Sequence, residues 1–377
     1  MKKNIEVYKK LRKHLHNQSI GYPSTRSGVE IRLLKHFFTP EEARLALTLN
    51  YKPNSLESIL ESINTTGFTQ ENIDQLLDSM LRKRVIEGME KEGEKYVYLV
   101  PLIIGMYEGQ LNKLIPEFLQ DFEKYISSTS FGLEFLSSEI SQMRTIPVRE
   151  SIPVEHHISN YDHITDIIQN TEGPIVVKPC ICRERKSVHG EPCTQTKLKE
   201  TCFSFGEKAK YLIGINTGRI ISKDEALDII RQCETDGLVL QPSNNQKVEI
   251  VCACCGCCCG MLSVQKMLPK PLDFWSSNYY SEVDTEKCTG CGKCEERCPV
   301  NAVYVDTPVK TARINLLRCI GCGICVATCP SQAISLCKKE YETVPPIDRE
   351  DLYESIKANR KGTWGKIKLA ARIALKR

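Results

Sequence analysis

Apolar residues recur at helical spacing through residues 39–84 and then alternate with polar residues up to residue 100. Thr39-Pro40-Glu41-Glu42 predicts a helix start, because Thr39 caps the first turn, Pro40 suits the first helical position and Glu42 closes a capping box. The pattern predicts further helices from near Asn54 and from Thr69. A hairpin should follow, with strands at 85–87 and 95–100 around a turn at 88–93. Three helices followed by a hairpin predict a winged-helix-like domain over residues 39–108.

Charge argues against nucleic acid as the ligand of this domain. In a winged helix the third helix reads the major groove from its N-terminal part. Here that part carries Glu71, Asp74 and Asp78, whose carboxylates would repel phosphates. We therefore expect the domain to contact another protein, with nucleic-acid binding as the disfavoured alternative.

Cysteine is unusually frequent, with 20 among 377 residues, and the first is Cys180. A disulfide scaffold is disfavoured because a chain this long can bury a core, the N-terminal residues lack the apolar stretch of a signal peptide, and neighbours such as Cys254-Cys255 meet disulfide geometry poorly. The chain contains no run of about 18 apolar residues, so no membrane span is predicted. These features predict a reducing, cytoplasmic location and thiolates that bind metal.

Two cysteine runs near the C-terminus have the same spacing. Cys288-x2-Cys291-x2-Cys294-x3-Cys298-Pro299 is repeated as Cys319-x2-Cys322-x2-Cys325-x3-Cys329-Pro330. Residues 282–336 resemble the bacterial-type two-[4Fe–4S] ferredoxin domain, here at the C-terminal end of a multidomain ferredoxin-like iron–sulfur protein of anaerobic type. The resemblance implies low-potential single-electron transfer and two cubane ligand sets, in which the fourth cysteine of each run serves the other cluster. These sets are Cys288, Cys291, Cys294 and Cys329, and Cys319, Cys322, Cys325 and Cys298. Zinc is the alternative, which the doubled order disfavours.

A less regular group of cysteines lies between residues 180 and 259. Its ten candidate metal ligands are Cys180, Cys182, Cys193, Cys202, Cys252, Cys254, Cys255, Cys257, Cys258 and Cys259. The last six contain a CxxCxxC register (252, 255, 258) and a CxxC register (254, 257). We expect the two halves of the group to converge on one or two further iron–sulfur clusters, with zinc as the main alternative and a redox-active dithiol as the third. Arg183, Arg185 and Lys186 either raise the potential of such a cluster or form a solvated basic loop.

Two further cysteines are predicted to be packing residues. Cys233 lies on a helix predicted between the capping residue Ser222 and Gly237, and Cys337 follows the second ferredoxin-type run. The adjacent pair His156-His157 is predicted to lie on the surface rather than to bind metal.

These patterns predict an α+β multidomain protein with a winged-helix-like N-terminal domain, a central cysteine-rich α/β module and a C-terminal ferredoxin-like two-cluster domain. The predicted boundaries are a basic helical lead at 1–38, the winged-helix-like domain at 39–108, a helical linker region at 109–170, the cysteine-rich metal-binding module at 171–272, the two-cluster domain at 280–340 and a basic helical tail at 341–377.

The net charge of +4 is unevenly distributed, because residues 1–40 carry +7 and residues 357–377 carry +8. From Trp364 onward the tail alternates cationic and apolar residues. As a helix it would lie on an anionic membrane or dock on a partner, whereas the alternative is a frayed, solvated end. No dinucleotide or P-loop fingerprint is present.

The sequence favours an iron–sulfur electron-transfer protein that passes single electrons through two clusters to or from a further metal centre in residues 180–259. Its partner would be a redox protein, either a dehydrogenase or a ferredoxin-like donor or acceptor. The alternatives are an iron–sulfur oxidoreductase with its catalytic centre in residues 180–259 and a redox-responsive winged-helix regulator. The sequence leaves open whether the chain is an enzyme and names no catalytic residue.

Overall fold

The computed structural model describes residues 2–63, 68–152 and 159–375. The pair His156-His157 lies outside these ranges. The chain forms two compact units. Unit 1 comprises Met1–Ser138, Gly214–Asn216 and Tyr353–Ala370, and unit 2 comprises Glu139–Ile213, Thr217–Leu352 and Ala371–Arg377.

Unit 1 is mainly helical, with one small antiparallel sheet in the order β1-β3-β2. Its elements are α1 (Lys2–His16), α2 (Val29–Phe37), α3 (Pro40–Ala46), β1 (Asn54–Ser55), α4 (Leu56–Ile63), α5 (Gln70–Lys83), β2 (Ile86–Lys91), β3 (Glu94–Leu99), α6 (Pro116–Ile126) and α7 (Thr129–Phe135). The sequence predicted helices corresponding to α3, α4 and α5 and the hairpin of β2 and β3, but it did not predict β1. The assignment to the winged-helix fold stays a prediction.

Local capping determines where the helices of unit 1 begin. Thr39 caps α3 and Glu42 closes the predicted capping box, with the Thr39 N–H donating to Glu42 Oε2 at 2.7 Å. Thr69 caps α5 by accepting from the Asn72 N–H. Both starts are confirmed. The helix predicted to begin near Asn54 is present as α4, which begins at Leu56 because Asn54 pairs with Val97 in the sheet.

The predicted hairpin is present but its turn is shorter. Strand β2 continues to Lys91, and only Glu92 and Gly93 form the turn, with φ of 55° and 81°. Two consecutive residues with positive φ make the turn that matches the twist of paired strands. Six residue pairs therefore join β2 and β3, where the sequence interpretation placed residues 88–93 in a loop.

Unit 2 contains a five-stranded antiparallel sheet in the order β6-β4-β5-β8-β7. The elements of this part are α8 (Ile164–Gln169), β4 (Ile175–Pro179), α9 (Ile181–Val188), β5 (Glu200–Phe205), α10 (Gly206–Gly214), β6 (Arg219–Ile221), α11 (Lys223–Thr235), β7 (Val239–Pro242), β8 (Ile250–Cys254) and α12 (Gly260–Met267). Ser222 caps α11 as predicted. Cys233 on α11 is fully buried in the core, which confirms its packing role.

The C-terminal part of unit 2 is built from two short antiparallel pairs, β9 with β12 and β10 with β11. Its elements are β9 (Tyr279–Val283), α13 (Lys293–Arg297), β10 (Val303–Asp306), β11 (Thr311–Ile314), α14 (Ile324–Ala327) and β12 (Ile334–Lys338). Each short helix lies inside one of the repeated cysteine runs. Cys337 on β12 is half-buried.

The chain ends in α15 (Arg349–Ala358) and α16 (Thr363–Ala374). Within unit 1, Glu134 is 3% exposed in its side chain and pairs with Arg360 at 2.6 Å and with Lys366 at 2.6 Å. Leu369 is buried as well. The alternative of a frayed tail is therefore wrong over α16, because buried contacts hold this helix. Among the described residues, no helix is long and apolar enough to cross a membrane.

Candidate metal centres

The outer group of thiols consists of Cys288, Cys291, Cys294 and Cys329, which line one pocket. Cys291 is exposed and Cys294 is buried. Backbone N–H groups point at two of the sulfurs: Ala312 donates to Cys288 Sγ at 3.3 Å and Ala333 donates to Cys329 Sγ at 3.3 Å. A cavity walled by thiols that accept backbone hydrogen bonds suits an iron–sulfur cluster.

The inner group consists of Cys319, Cys322, Cys325 and Cys298. The first three are each 8% exposed, so this group is more buried than the outer one. Burial raises the pKa of Cys322 and raises that of Cys325 to about 12. The Ala302 N–H donates to Cys298 Sγ at 3.1 Å, which repeats the contact of Ala333 with Cys329.

Glycine is required at equivalent positions of the two cysteine runs. Gly290 and Gly321 have φ of 64° and 65°. A Cβ on Gly290 would lie 2.3 Å from the carbonyl oxygen of Lys310, and one on Gly321 would lie 2.2 Å from that of Tyr279. Because a side chain at either position would strike the backbone of a neighbouring segment, each loop can pack tightly around its thiols only with glycine there.

Residues 281–330 match the 4Fe-4S dicluster domain family. A ferredoxin-type iron–sulfur domain near the C-terminus, predicted from the cysteine spacing, is therefore confirmed. Neither the curated proteins nor the solved structures contain a match to this chain. The assignment of each cysteine of the dicluster segment to one of two clusters stays a prediction.

The ten remaining candidate ligands divide into two groups. The four-thiol group consists of Cys193, Cys255, Cys257 and Cys258, whose Sγ atoms all lie within 4.8 Å of one another. Cys193 Sγ is 3.7 Å from Cys255 Sγ and 3.5 Å from Cys257 Sγ, and Cys257 and Cys258 are also 3.5 Å apart. Cys193 comes from the loop after α9, and the other three come from the turn after β8. Desolvation disfavours the thiolate of Cys257, but hydrogen bonds from the Thr194 N–H and the Cys193 thiol lower its pKa to about 6.

The six-thiol group contains the other candidates. Electrostatic interactions link neighbouring members in the order Cys180, Cys182, Cys259, Cys254, Cys252 and Cys202. The sheet explains part of this arrangement, because Cys202 on β5 lies directly opposite Cys252 on β8. Cys252 and Cys254 share one face of β8, since residues two apart in a strand point the same way. Hydrogen bonds from Cys182 and Cys254 lower the pKa of Cys259.

The two cysteine registers identified in the sequence do not correspond to these groups. The structure places Cys255 and Cys258 with Cys257, and it places Cys252 with Cys254. The reason is that β8 ends at Cys254 and the chain then turns, with the Cys259 N–H donating to the Cys255 carbonyl at 3.2 Å. The strand directs its thiols to one group and the turn directs its thiols to the other.

Arg183 lies between the two groups and is 6% exposed. Its guanidinium donates to the Leu198 carbonyl at 3.0 Å, to Thr201 Oγ1 at 2.7 Å and to the Ala253 carbonyl at 2.8 Å. Burial alone would lower the pKa of Arg183, but the negative charges of the Cys180 and Cys255 thiolates raise it above its usual value. A solvated loop is therefore the wrong description of Arg183, whereas Lys186 pairs with the exposed Glu191 at the surface.

Two supporting residues were not identified from the sequence. Gln195 accepts from the Gly256 N–H at 3.0 Å and donates to the Gly237 carbonyl at 2.6 Å. Ser281 Oγ lies 3.4 Å from Cys325 Sγ. Gln195 follows Cys193 by two residues, and this proximity is the only sequence signal that would have indicated it.

Proposed function

We propose that this protein transfers single electrons through the dicluster segment, between a redox partner and a further metal centre in the six-thiol group. A bound [4Fe–4S] cluster exchanges one electron at a time. The observation that carries the proposal is the difference in exposure between the two sets of dicluster thiols. Cys291 of the outer group is exposed, whereas Cys319, Cys322 and Cys325 of the inner group are buried.

This difference gives the two groups different roles. The exposed outer group is where a partner protein can approach. The inner group belongs to the same hydrophobic core as the cysteine-rich module, since Cys319 and Cys322 share that core with Cys254 and Cys259. A buried, water-poor connection suits electron transfer because little solvent has to reorganise. The backbone N–H groups at Cys298 and Cys329 stabilise the more negative, reduced state and so raise its potential.

The six-thiol group supplies the proposed further centre. It offers only sulfur donors, which suit iron–sulfur clusters and zinc, and the buried guanidinium of Arg183 lies beside it. We assign it an iron–sulfur cluster because it shares a core with the inner group. The exposed acidic side chains of Glu71, Asp74 and Asp78 on α5 give no support to the DNA-binding regulator.

Metal analysis and EPR of anaerobically reconstituted full-length protein test this proposal. We expect about eight iron atoms per chain from the dicluster segment and additional iron from the six-thiol group. On reduction, the two dicluster signals should broaden one another through spin coupling. Cys291→Ser should lose the outer cluster and keep the EPR signal of the inner one. Cys322→Ser should lose the inner cluster and keep the EPR signal of the outer one. In each variant the remaining signal should lack the broadening.

Stopped-flow reduction by a reduced ferredoxin tests the direction of transfer. With Cys322→Ser, the outer cluster should still be reduced quickly while the six-thiol centre stays oxidised on that time scale. Cys337→Ser is the matched control, because Cys337 lies outside all thiol groups, and it should behave as the unmodified protein does. Iron well below eight per chain, or fast reduction of the six-thiol centre in Cys322→Ser, would contradict the proposal.

A further inference from the structure

We propose that the four-thiol group binds one zinc ion as a tetrahedral tetrathiolate, separate from every iron–sulfur cluster of the protein. The group comprises Cys193, Cys255, Cys257 and Cys258, all within 4.8 Å of one another. Zinc–sulfur bonds of about 2.3 Å in a tetrahedron place the sulfurs about 3.8 Å apart. The separations of 3.5, 3.5 and 3.7 Å in the structure are those of a single-ion site.

The same distances disfavour a cubane at this position. A [4Fe–4S] cubane places four irons and four sulfides between its thiolates, so four sulfurs that all lie within 4.8 Å of one another cannot be its ligands. The six-thiol group, which lies wholly within the described residues, differs, because no three of its sulfurs lie that close to one another. They also disfavour a disulfide, because a sulfur–sulfur bond is about 2.05 Å long. All 20 cysteines lie within the described residues and all are free thiols.

The position of the group indicates what the ion does. It joins the loop carrying Cys193 to the turn carrying Cys257, two segments 64 residues apart. Gly256, inside that turn, lies against the dicluster segment, where a Cβ on it would be 3.4 Å from the Cα of Pro299. Pro299 follows Cys298 of the inner group. Zinc at this site would therefore hold the turn against the chain that carries an inner-cluster ligand.

The surroundings compensate the charge of such a site. Four thiolates around Zn²⁺ carry a net charge of −2. The buried guanidinium of Arg183 interacts electrostatically with Cys255 and offsets part of that charge. Interactions of this kind around the ligand sulfurs tune metal affinity. This assignment does not depend on electron transfer, because zinc has no redox chemistry.

Zinc and iron analysis of cysteine variants of the full chain tests the assignment. The unmodified protein should contain one zinc per chain. Cys257→Ser should bind zinc at least tenfold more weakly, measured by competition with a chromophoric chelator, and keep its iron. Cys257 is exposed, so its replacement perturbs packing least. Cys252→Ser in the six-thiol group is the matched control, and it should keep its zinc.

X-ray absorption at the zinc edge gives a second readout that needs no variant. The expected spectrum has four sulfur neighbours at about 2.3 Å. Loss of iron rather than zinc from Cys257→Ser would overturn the assignment. A zinc spectrum dominated by nitrogen or oxygen neighbours would do so too, as would a reconstituted protein that takes up no zinc. Failure of the electron-transfer experiments would leave these outcomes unaffected.

Discussion

Replacing Gly290 with alanine should weaken the outer thiol group far more than the same change at Gly292. Both residues have positive φ, 64° and 78°, where a Cβ costs about 1–2 kcal/mol. Their surroundings differ. A Cβ on Gly290 would lie 2.3 Å from the Lys310 carbonyl oxygen, whereas one on Gly292 would meet nothing within 4 Å. The backbone carbonyl cannot move cheaply, so Gly290→Ala should carry an additional overpacking cost of about 1–3 kcal/mol.

The matched pair isolates that additional cost, because Gly292→Ala reports the backbone strain alone. If the additional strain in Gly290→Ala is released as the site opens, its cost of about 1–3 kcal/mol makes cluster loss about 5- to 160-fold faster than in Gly292→Ala. Both variants should first be shown to contain the iron of the unmodified protein. The decay of the visible cluster absorbance is then followed anaerobically at one guanidinium concentration. Equal decay rates for the two variants would refute the reasoning that close packing requires Gly290.

Two further predictions concern buried charges. Arg183→Met should destabilise the folded holoprotein by about 3 kcal/mol or more, because it leaves buried carbonyls and thiolates without their cation. The stability of Arg183→Lys should be intermediate. Denaturant-induced metal release that is unchanged in both variants would contradict this prediction. Burial lowers the pKa of His16 below its ordinary value of 6.5, opposed by Glu134. The unfolded chain therefore takes up more protons on acidification, so stability should fall as the pH drops below about 6.5. His16→Gln should flatten that part of the pH dependence of thermal stability, and an unaltered slope would argue against a neutral, half-buried His16.

Several local features were predictable because their causes lie within a few residues. The capping box at Thr39 and the cap at Ser222 depend on side chains three residues from the N–H groups that they bind. The repeated cysteine spacing predicted an iron–sulfur domain for the same reason. The pairing of Asn54 in the sheet was not predictable from its own neighbourhood, because its partner is Val97, 43 residues later.

The candidate site shows the same division. The sequence identified all ten central thiols as candidate ligands, but it grouped them by their spacing along the chain. In the structure they are grouped by the end of β8 at Cys254 and by the approach of Cys193 from a distant loop. Likewise, the sequence showed a basic tail, whereas the buried carboxylate of Glu134 determines that Lys366 is held rather than solvated.

The sequence alone determines that the protein is rich in thiols, that the cysteines near the C-terminus have ferredoxin-type spacing, and that several helices begin at recognisable caps. Such properties are encoded by neighbouring residues, whose geometry is set by bond lengths and helix or turn periodicity. Which thiols meet, which cation is buried and which cluster group faces solvent depend on strand pairing and core packing between segments tens of residues apart. Because many pairings are compatible with the same local pattern, only the folded chain distinguishes a compact four-thiol site from the six thiols beside it.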